Sequence, residues 1–287
     1  MFPVRPRRRR GRATTLVAVV LLALTLSPVH WMVTASLRPA EGPWRGGWFP
    51  ADPSAAGYAA ALHEQGGRLV TSLVVSLGTA LLSLVLAAPA AHALALRPVR
   101  GAGAFLFGVL LLQAVPGVTV ANALHGAYAD TGLLDSHLGL VLADSTAGVP
   151  FAILVLRSAV RAIPREVVEA ALLDGAGAVR LFRSVVLPLS RNALITSGVF
   201  AFLFAWGDTL FALTLTTSDA VRPVTLGVYD YLGAHSTRWD ATMATAVLAS
   251  LPAAVLLVVA QRHVTDGAAR SVRSGRSATR GSASPPR

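Results

Sequence analysis

The chain has 287 residues, of which 54% are hydrophobic and only 14% charged, and its mean hydropathy is +0.59. A soluble domain of this length would carry about 25% charged residues, so the composition points to a polytopic membrane protein. All 25 residues of the Lys+Arg class are arginine and cysteine is absent, which excludes a lysine-bearing nucleotide loop, a Schiff base, a disulfide framework and thiolate metal sites.

Six stretches are long and apolar enough to cross a bilayer, at about 20 residues per crossing: 16–37, 69–96, 104–124, 138–156, 195–215 and 243–260. The first follows a basic segment, 1–15, with Arg5, Arg7, Arg8, Arg9, Arg10 and Arg12. It is too long for a signal-peptide core and has no small-x-small cleavage site before His30-Trp31, so it reads as a retained helix. The next segment alternates Gly42-Pro43, Gly46-Gly47 and Pro50 with Trp44, Trp48 and Phe49, an irregular loop with interfacial aromatics. A short helix is expected after it, at 58–64. Arg97 and Arg100 separate the second and third runs. The fourth and fifth are separated by a long loop with Arg157, Arg161, Arg165, Arg180, Arg183 and Arg191. The tail, 264–287, is rich in Arg, Ser and Gly and is expected to be disordered at its end.

The net charge of +11 therefore gathers at the termini and on alternate loops. The remaining loops hold only Arg38, Arg45, Arg68, Arg222 and Arg238. Basic residues stay on the cytoplasmic side, so both termini are expected there. No aromatic-interleaved basic surface accompanies them, which argues against nucleic acid as a partner. Each run carries or abuts a proline (Pro28, Pro89, Pro116, Pro150, Pro188, Pro252), the pattern of kinked helices in a wall that rearranges.

The long loop, 164–188, is the most informative segment. Pro164 suits the first turn of a helix, Glu166 and Glu169 suit its positive end, and Gly175-Ala176-Gly177 stops it. A second helix over 179–186 is expected to end at Leu187-Pro188. Glu169-Ala170-Ala171, three residues, Gly175, nine residues, then Val185-Val186-Leu187-Pro188 resembles the EAA-x3-G-x9-I-x-L-P loop of ABC importer permeases, with Val185 in place of the usual Ile. The stretch 169–194 is most similar to the carbohydrate-importer, maltose-permease-like branch. Trp31 to Pro39, Pro150-Phe151 before Ile163-Pro164, the run from Trp206 to Leu213, and Gln261-Arg262 before Gly267 resemble other parts of that family, in order.

The resemblance implies an all-α integral membrane protein of the type I importer permease fold: six transmembrane helices over 16–263 and a cytoplasmic coupling helix-turn-helix. It implies a bacterial plasma membrane location and a permease with no ATPase site or cofactor of its own, ATP and Mg lying on the partner. Its partners would be a second homologous permease as a heterodimer, two ATP-binding subunits, an extracellular sugar-binding protein and the lipid bilayer. Contact with the ATPase would fall to Glu166, Glu169, Ala170, Ala171, Asp174, Gly175, Leu187 and Pro188.

Asp144 and Asp208 are the acids at membrane depth, with Asn122, His92 and His30 as neutral polar residues. Trp206 and Phe211 beside Asp208 are the residue types a sugar site uses, an aromatic face and a carboxylate that accepts hydroxyl protons. Asn122, Trp206, Asp208 and Phe211 are therefore the candidates for a substrate path, against the simpler reading that the aromatics pack between helices. Asp144 has no assigned role. No catalytic constellation and no metal site are expected, and His125, His137 and His235 read as isolated loop residues. An amino-acid or polyamine permease is the alternative within the family. A stand-alone ion-coupled transporter would need inverted repeats and facing titratable groups.

Overall fold

The structure is a computed structural model that describes residues 12–39, 47–50, 52–231 and 238–281, with side chains described as far as Gln261. The basic segment 1–11, the loop residues 40–46 with Trp44, His235 and the tail end 282–287 lie outside the described residues. The described elements are helical, and the chain divides into two compact units, 1–65 with 231–248 and 66–230 with 249–287.

In the first unit, α1 (Arg12–Ser36) is apolar on all sides, and Leu16, Leu22 and Leu24 are more than half exposed. A helix apolar all round, with no part of its apolar window buried, is dressed for lipid or for another chain. Its end is tied to the head of α2 (Ala56–Leu96), where Ser36 Oγ and Tyr58 OH hydrogen-bond at 2.7 Å. His30 packs edge-on against Phe49 and tilted against Trp48. Arg238 pairs with Asp240 at 3.1 Å and with Glu64 at 3.7 Å. The helix expected over 58–64 is thus the first part of a 41-residue α2, about 60 Å long at 1.5 Å per residue.

In the second unit, α2 and α5 (His137–Arg161) run in the same direction: Val141 covers Gly78, Gly148 meets Ser83, and Arg157 Nε donates to the Leu94 carbonyl. A Cβ on Gly148 would collide with Ser83 Oγ and stand 3.2 Å from Ala201 of α9 (Arg191–Gly207), so glycine is what allows three helices to converge there. Phe151 stacks on Phe200 at 3.7 Å in the same interface. Small residues bring backbones close where lipid supplies no hydrophobic drive, and the buried Ala87, Ala88, Ala91 and Ala152 do so here. A second apolar cluster joins Val75, Ala121, Tyr128, Leu140, Phe211 and Leu215.

Two expected spans are not single helices. Positions 104–124 divide into α3 (Ala102–Ala114) and α4 (Gly117–Thr131), which meet at 95°. Val115 is extended because Pro116 disfavours helical geometry in the residue before it, and Pro116 itself lacks the N–H that would continue the ladder. Positions 195–215 divide at Asp208, which is extended, between α9 and α10 (Leu210–Leu215). Among the described residues four helices are long and apolar enough to cross a membrane, or up to six if the bent pairs Ala102–Ala114 with Gly117–Thr131 and Ala178–Leu189 with Arg191–Gly207 each count as one span. Pro28, Pro89, Pro150 and Pro252 remain inside continuous helices, and after the short α11 (Val224–Asp230) the last helix, α12 (Trp239–Gly281), continues through most of the tail.

Candidate functional site

The long basic loop begins where α5 ends at Ala162. Pro164 (φ −56°, ψ 137°) caps α6 (Arg165–Leu173), with Glu166 in its first turn, where an acid opposes the positive end of the helix dipole. Val168 and Ala171 share a face and pack on buried Val160, Leu181 and Val186. Glu166, Glu169 and Ala170 are exposed on the remaining surface, as is Asp174 at the helix end.

The end of α6 has two capping hydrogen bonds, Ala176 N to Ala171 O and Gly175 N to Leu172 O, each 3.0 Å. This is the Schellman arrangement, which needs a left-handed residue at its turn, and Gly175 has φ +78°. A Cβ placed on Gly175 has nothing within 4 Å, so inside this chain the glycine serves backbone conformation and not crowding. Leu173 is 89% exposed beside it, with Val167, Leu172 and Val179 also exposed. Residue-type reasoning found the acids and the glycine of this corner but passed over its apolar skin.

Beyond the corner, α7 (Ala178–Leu181) leads into a π turn, Phe182–Val186, in which Leu187 N–H donates to the Phe182 carbonyl five residues back. The helix does not end at Leu187-Pro188 as expected. It continues as α8 (Leu187–Leu189), Pro188 at its start, and the chain bends by 77° into α9 around Ser190. Proline is tolerated in a first helical turn, and here the helix restarts just before it. Pro188 is exposed, while Leu187 packs inward on the Ala87, Ala91 and Ala152 cluster.

The path candidates scatter. Asn122 is exposed on α4. Trp206 is 7% exposed, stacks with Phe202, and its Nε1–H donates to the Ala249 carbonyl at 2.8 Å. Phe211 is 4% exposed in the cluster with Val75 and Leu140. Asp208 Oδ2 accepts from Phe211 N–H (2.9 Å) and Ala212 N–H (3.1 Å), and its carbonyl accepts from Thr225 Oγ1 at 2.8 Å. The acid thus caps the first turn after the break, satisfying donors that would be costly to leave open. Asp144 is 2% exposed on the α5 face that carries Val141 and Gly148, and its Oδ1 has no hydrogen-bond partner among the described residues.

Two polar clusters beyond α4 and α10 had no sequence signal. Asp135 (φ +51°) accepts from Thr217 N–H (2.8 Å), Ser218 N–H (2.9 Å), Ser218 Oγ and Thr217 Oγ1. The Thr217 hydroxyl and then the Ser218 amide hold its carboxyl down at about 2. Arg68 pairs with Asp219 at 3.1 Å and with Asp230, and Arg222 also pairs with Asp219. Apart from the Arg222–Asp219 pair, three positions apart, these contacts join residues more than 80 positions apart, which no local pattern announces.

The diacetylchitobiose uptake permease DasC of Streptomyces coelicolor is 30% identical over 257 residues, covering 87% of this chain and 92% of that one. The trehalose permease SugB of Mycobacterium tuberculosis is 28% identical, covering 90% and 96%. Among solved structures, a bacterial ABC transporter for import of the acidic polysaccharide alginate superposes with a TM-score of 0.75 at 20% identity, over 91% of this chain and 99% of that one; it shares the fold. Residues 80–269, from mid-α2 through the exposed corner to α12, match the family described as binding-protein-dependent transport system inner membrane component, and with more than half of its length matched the chain belongs to that family.

Proposed function

We propose that this chain is the permease subunit of an ATP-driven ABC importer for a sugar or oligosaccharide delivered by an extracellular binding protein. The observation that carries the reading is the α6 corner, where acids and bare apolar side chains surround a left-handed glycine on a helix braced from behind. A braced helix with an exposed end transmits rigid-body motion, which is what a subunit without its own nucleotide site needs from a partner ATPase. Glu166, Glu169, Ala170, Asp174, Gly175 and Pro188 supply the contact surface, and Ala171 and Leu187 hold it in place. ATP and Mg belong to the ATPase subunits, and a second homologous permease completes the path. Relatives named for diacetylchitobiose, trehalose and melibiose/raffinose/stachyose support carbohydrate cargo.

The orientation follows arginine placement, with six crossings and both termini in the cytoplasm. Of the four path candidates, Asn122 presents an exposed side chain, while Trp206, Phe211 and the Asp208 cap are engaged within the helical fold. The test is to isolate the tagged chain from its host. A second permease and an ATP-hydrolysing subunit should come with it, and liposomes holding the set should accumulate a labelled disaccharide when binding protein and ATP are supplied. Recovery of the chain alone overturns the reading. Because the chain has no cysteine, Ser54→Cys should react with an impermeant maleimide from outside intact cells and Ser184→Cys should not; the reverse result inverts the orientation.

A further inference from the structure

The region between the coupling corner and the transmembrane helices contains a segment whose geometry differs from everything around it. In an α-helix Leu187 N–H would bond Arg183; here it reaches Phe182. The cause is one residue further on. Pro188 has no N–H, and its ring would press on the Ser184 carbonyl in a regular turn, so the turn ahead of it widens. A π turn has one more residue per hydrogen-bonded ring, so a change between π and α bonding moves the following chain by about 1.5 Å along the axis, and Pro188 biases the turn to the π form.

Phe182 heads this turn. Its side chain packs against the lower cluster of Val160, Leu181 and Val186, which braces α6, and also against the upper cluster of Ala87, Ala91, Ala152 and Leu156 between α2 and α5. Among the described residues it is the one that packs on both. Its ring also lies 5.2 Å from the buried ring of His92 on α2. Leu181 just before the turn and Val185 within it belong to the lower cluster only. Val168 and Ala171 of α6 meet α5 at Val160 in the lower cluster, and Phe182 extends that contact to the upper cluster deeper between α2 and α5.

We infer that Phe182 is the positioning residue that passes movement of the coupling corner to α2 and α5, with the π turn as its hinge. The inference rests on the coupling reading above, and its test separates the two. The assembled importer, with both permeases, ATPase and binding protein, is prepared with Phe182→Ala, Phe182→Leu or Val185→Ala. Three quantities are read: co-purified ATPase, basal hydrolysis of Mg-ATP, and stimulation of that hydrolysis by the binding protein as isolated from the host. Phe182→Ala should retain the ATPase and the basal rate but lose about fivefold or more of the stimulation, the size of a typical coupling between sites. Phe182→Leu, which keeps apolar bulk in both clusters, should restore most of it. Val185→Ala, which trims the lower cluster alone, should keep stimulation near wild type. Full stimulation in Phe182→Ala, no rescue by Phe182→Leu, or an equal loss in Val185→Ala would overturn the hinge assignment. Failure of the wild-type chain to retain the ATPase would instead overturn the coupling reading.

Discussion

Replacement of Gly175 tests the corner by separating two requirements, for a left-handed backbone and for a bare surface. At φ +78° an alanine pays the left-handed penalty of about 1 kcal/mol. No atom of the chain lies within 4 Å of the added Cβ, so no internal clash adds to it. At about 1.4 kcal/mol per factor of ten, that biases the corner against its formed state by roughly fivefold, which local hydrogen bonds can absorb without harming insertion. Asparagine tolerates the left-handed region and should preserve the Schellman bonds to Ala171 and Leu172 while adding a side chain. Tryptophan adds both strain and bulk. If the corner seats in an ATPase cleft, Gly175→Asn and Gly175→Trp should both lose co-purified ATPase and stimulated hydrolysis, the latter almost completely, with membrane insertion unchanged. If conformation alone matters, asparagine should behave as wild type and alanine should be weaker. The assay is co-purification of the ATPase with the tagged permease, followed by hydrolysis in proteoliposomes. Wild-type levels of both for Gly175→Trp would refute the seating of this loop in an ATPase.

Glu169→Lys reverses an exposed charge and should change thermal stability by no more than about 0.5 kcal/mol while weakening ATPase retention; an unfolding defect would place Glu169 in the fold instead. Asp135→Asn should loosen the Thr217–Ser218 turn. The Asp135 carboxyl is held at about 2 in the folded chain, so its contribution is complete above the ordinary carboxylate range and declines as pH falls through about 2. The melting difference between wild type and Asp135→Asn should accordingly be constant near neutrality and close in strong acid, and a difference that grew on acidification would contradict this. Trp206→Ala removes a buried ring and the donor to Ala249 and should lower thermal stability, by about 3 kcal/mol or more, whereas Asn122→Ala should reduce uptake with stability preserved. Unchanged uptake in Asn122→Ala removes it from the path.

Much of the molecule is legible in one dimension because lipid imposes a one-dimensional rule: a crossing helix must be apolar for its whole length, so the long helices α1, α2, α5 and α12 announce themselves by run length. The α6 corner is legible for a different reason. Its proline sets the start of the helix, its first-turn acid faces the positive end of the helix dipole and its glycine allows the Schellman bonds, all within a few residues, so local sequence contains the whole interaction. The breaks at Val115-Pro116 and Asp208 are hidden because the apolar run continues through both, and a run cannot report direction. Pro116 was visible, but a 95° turn there, against continuous helix at Pro28, Pro89, Pro150 and Pro252, depends on which neighbours satisfy the freed backbone. In the same way, Trp206 and Phe211 are sugar-site residue types whose placement against Ala249 and Leu140 was decided by helices distant in sequence. Phe182 had no signal as a bridge, since packing on two clusters at once is a property of α2, α5 and the loop assembled, and of none of them alone.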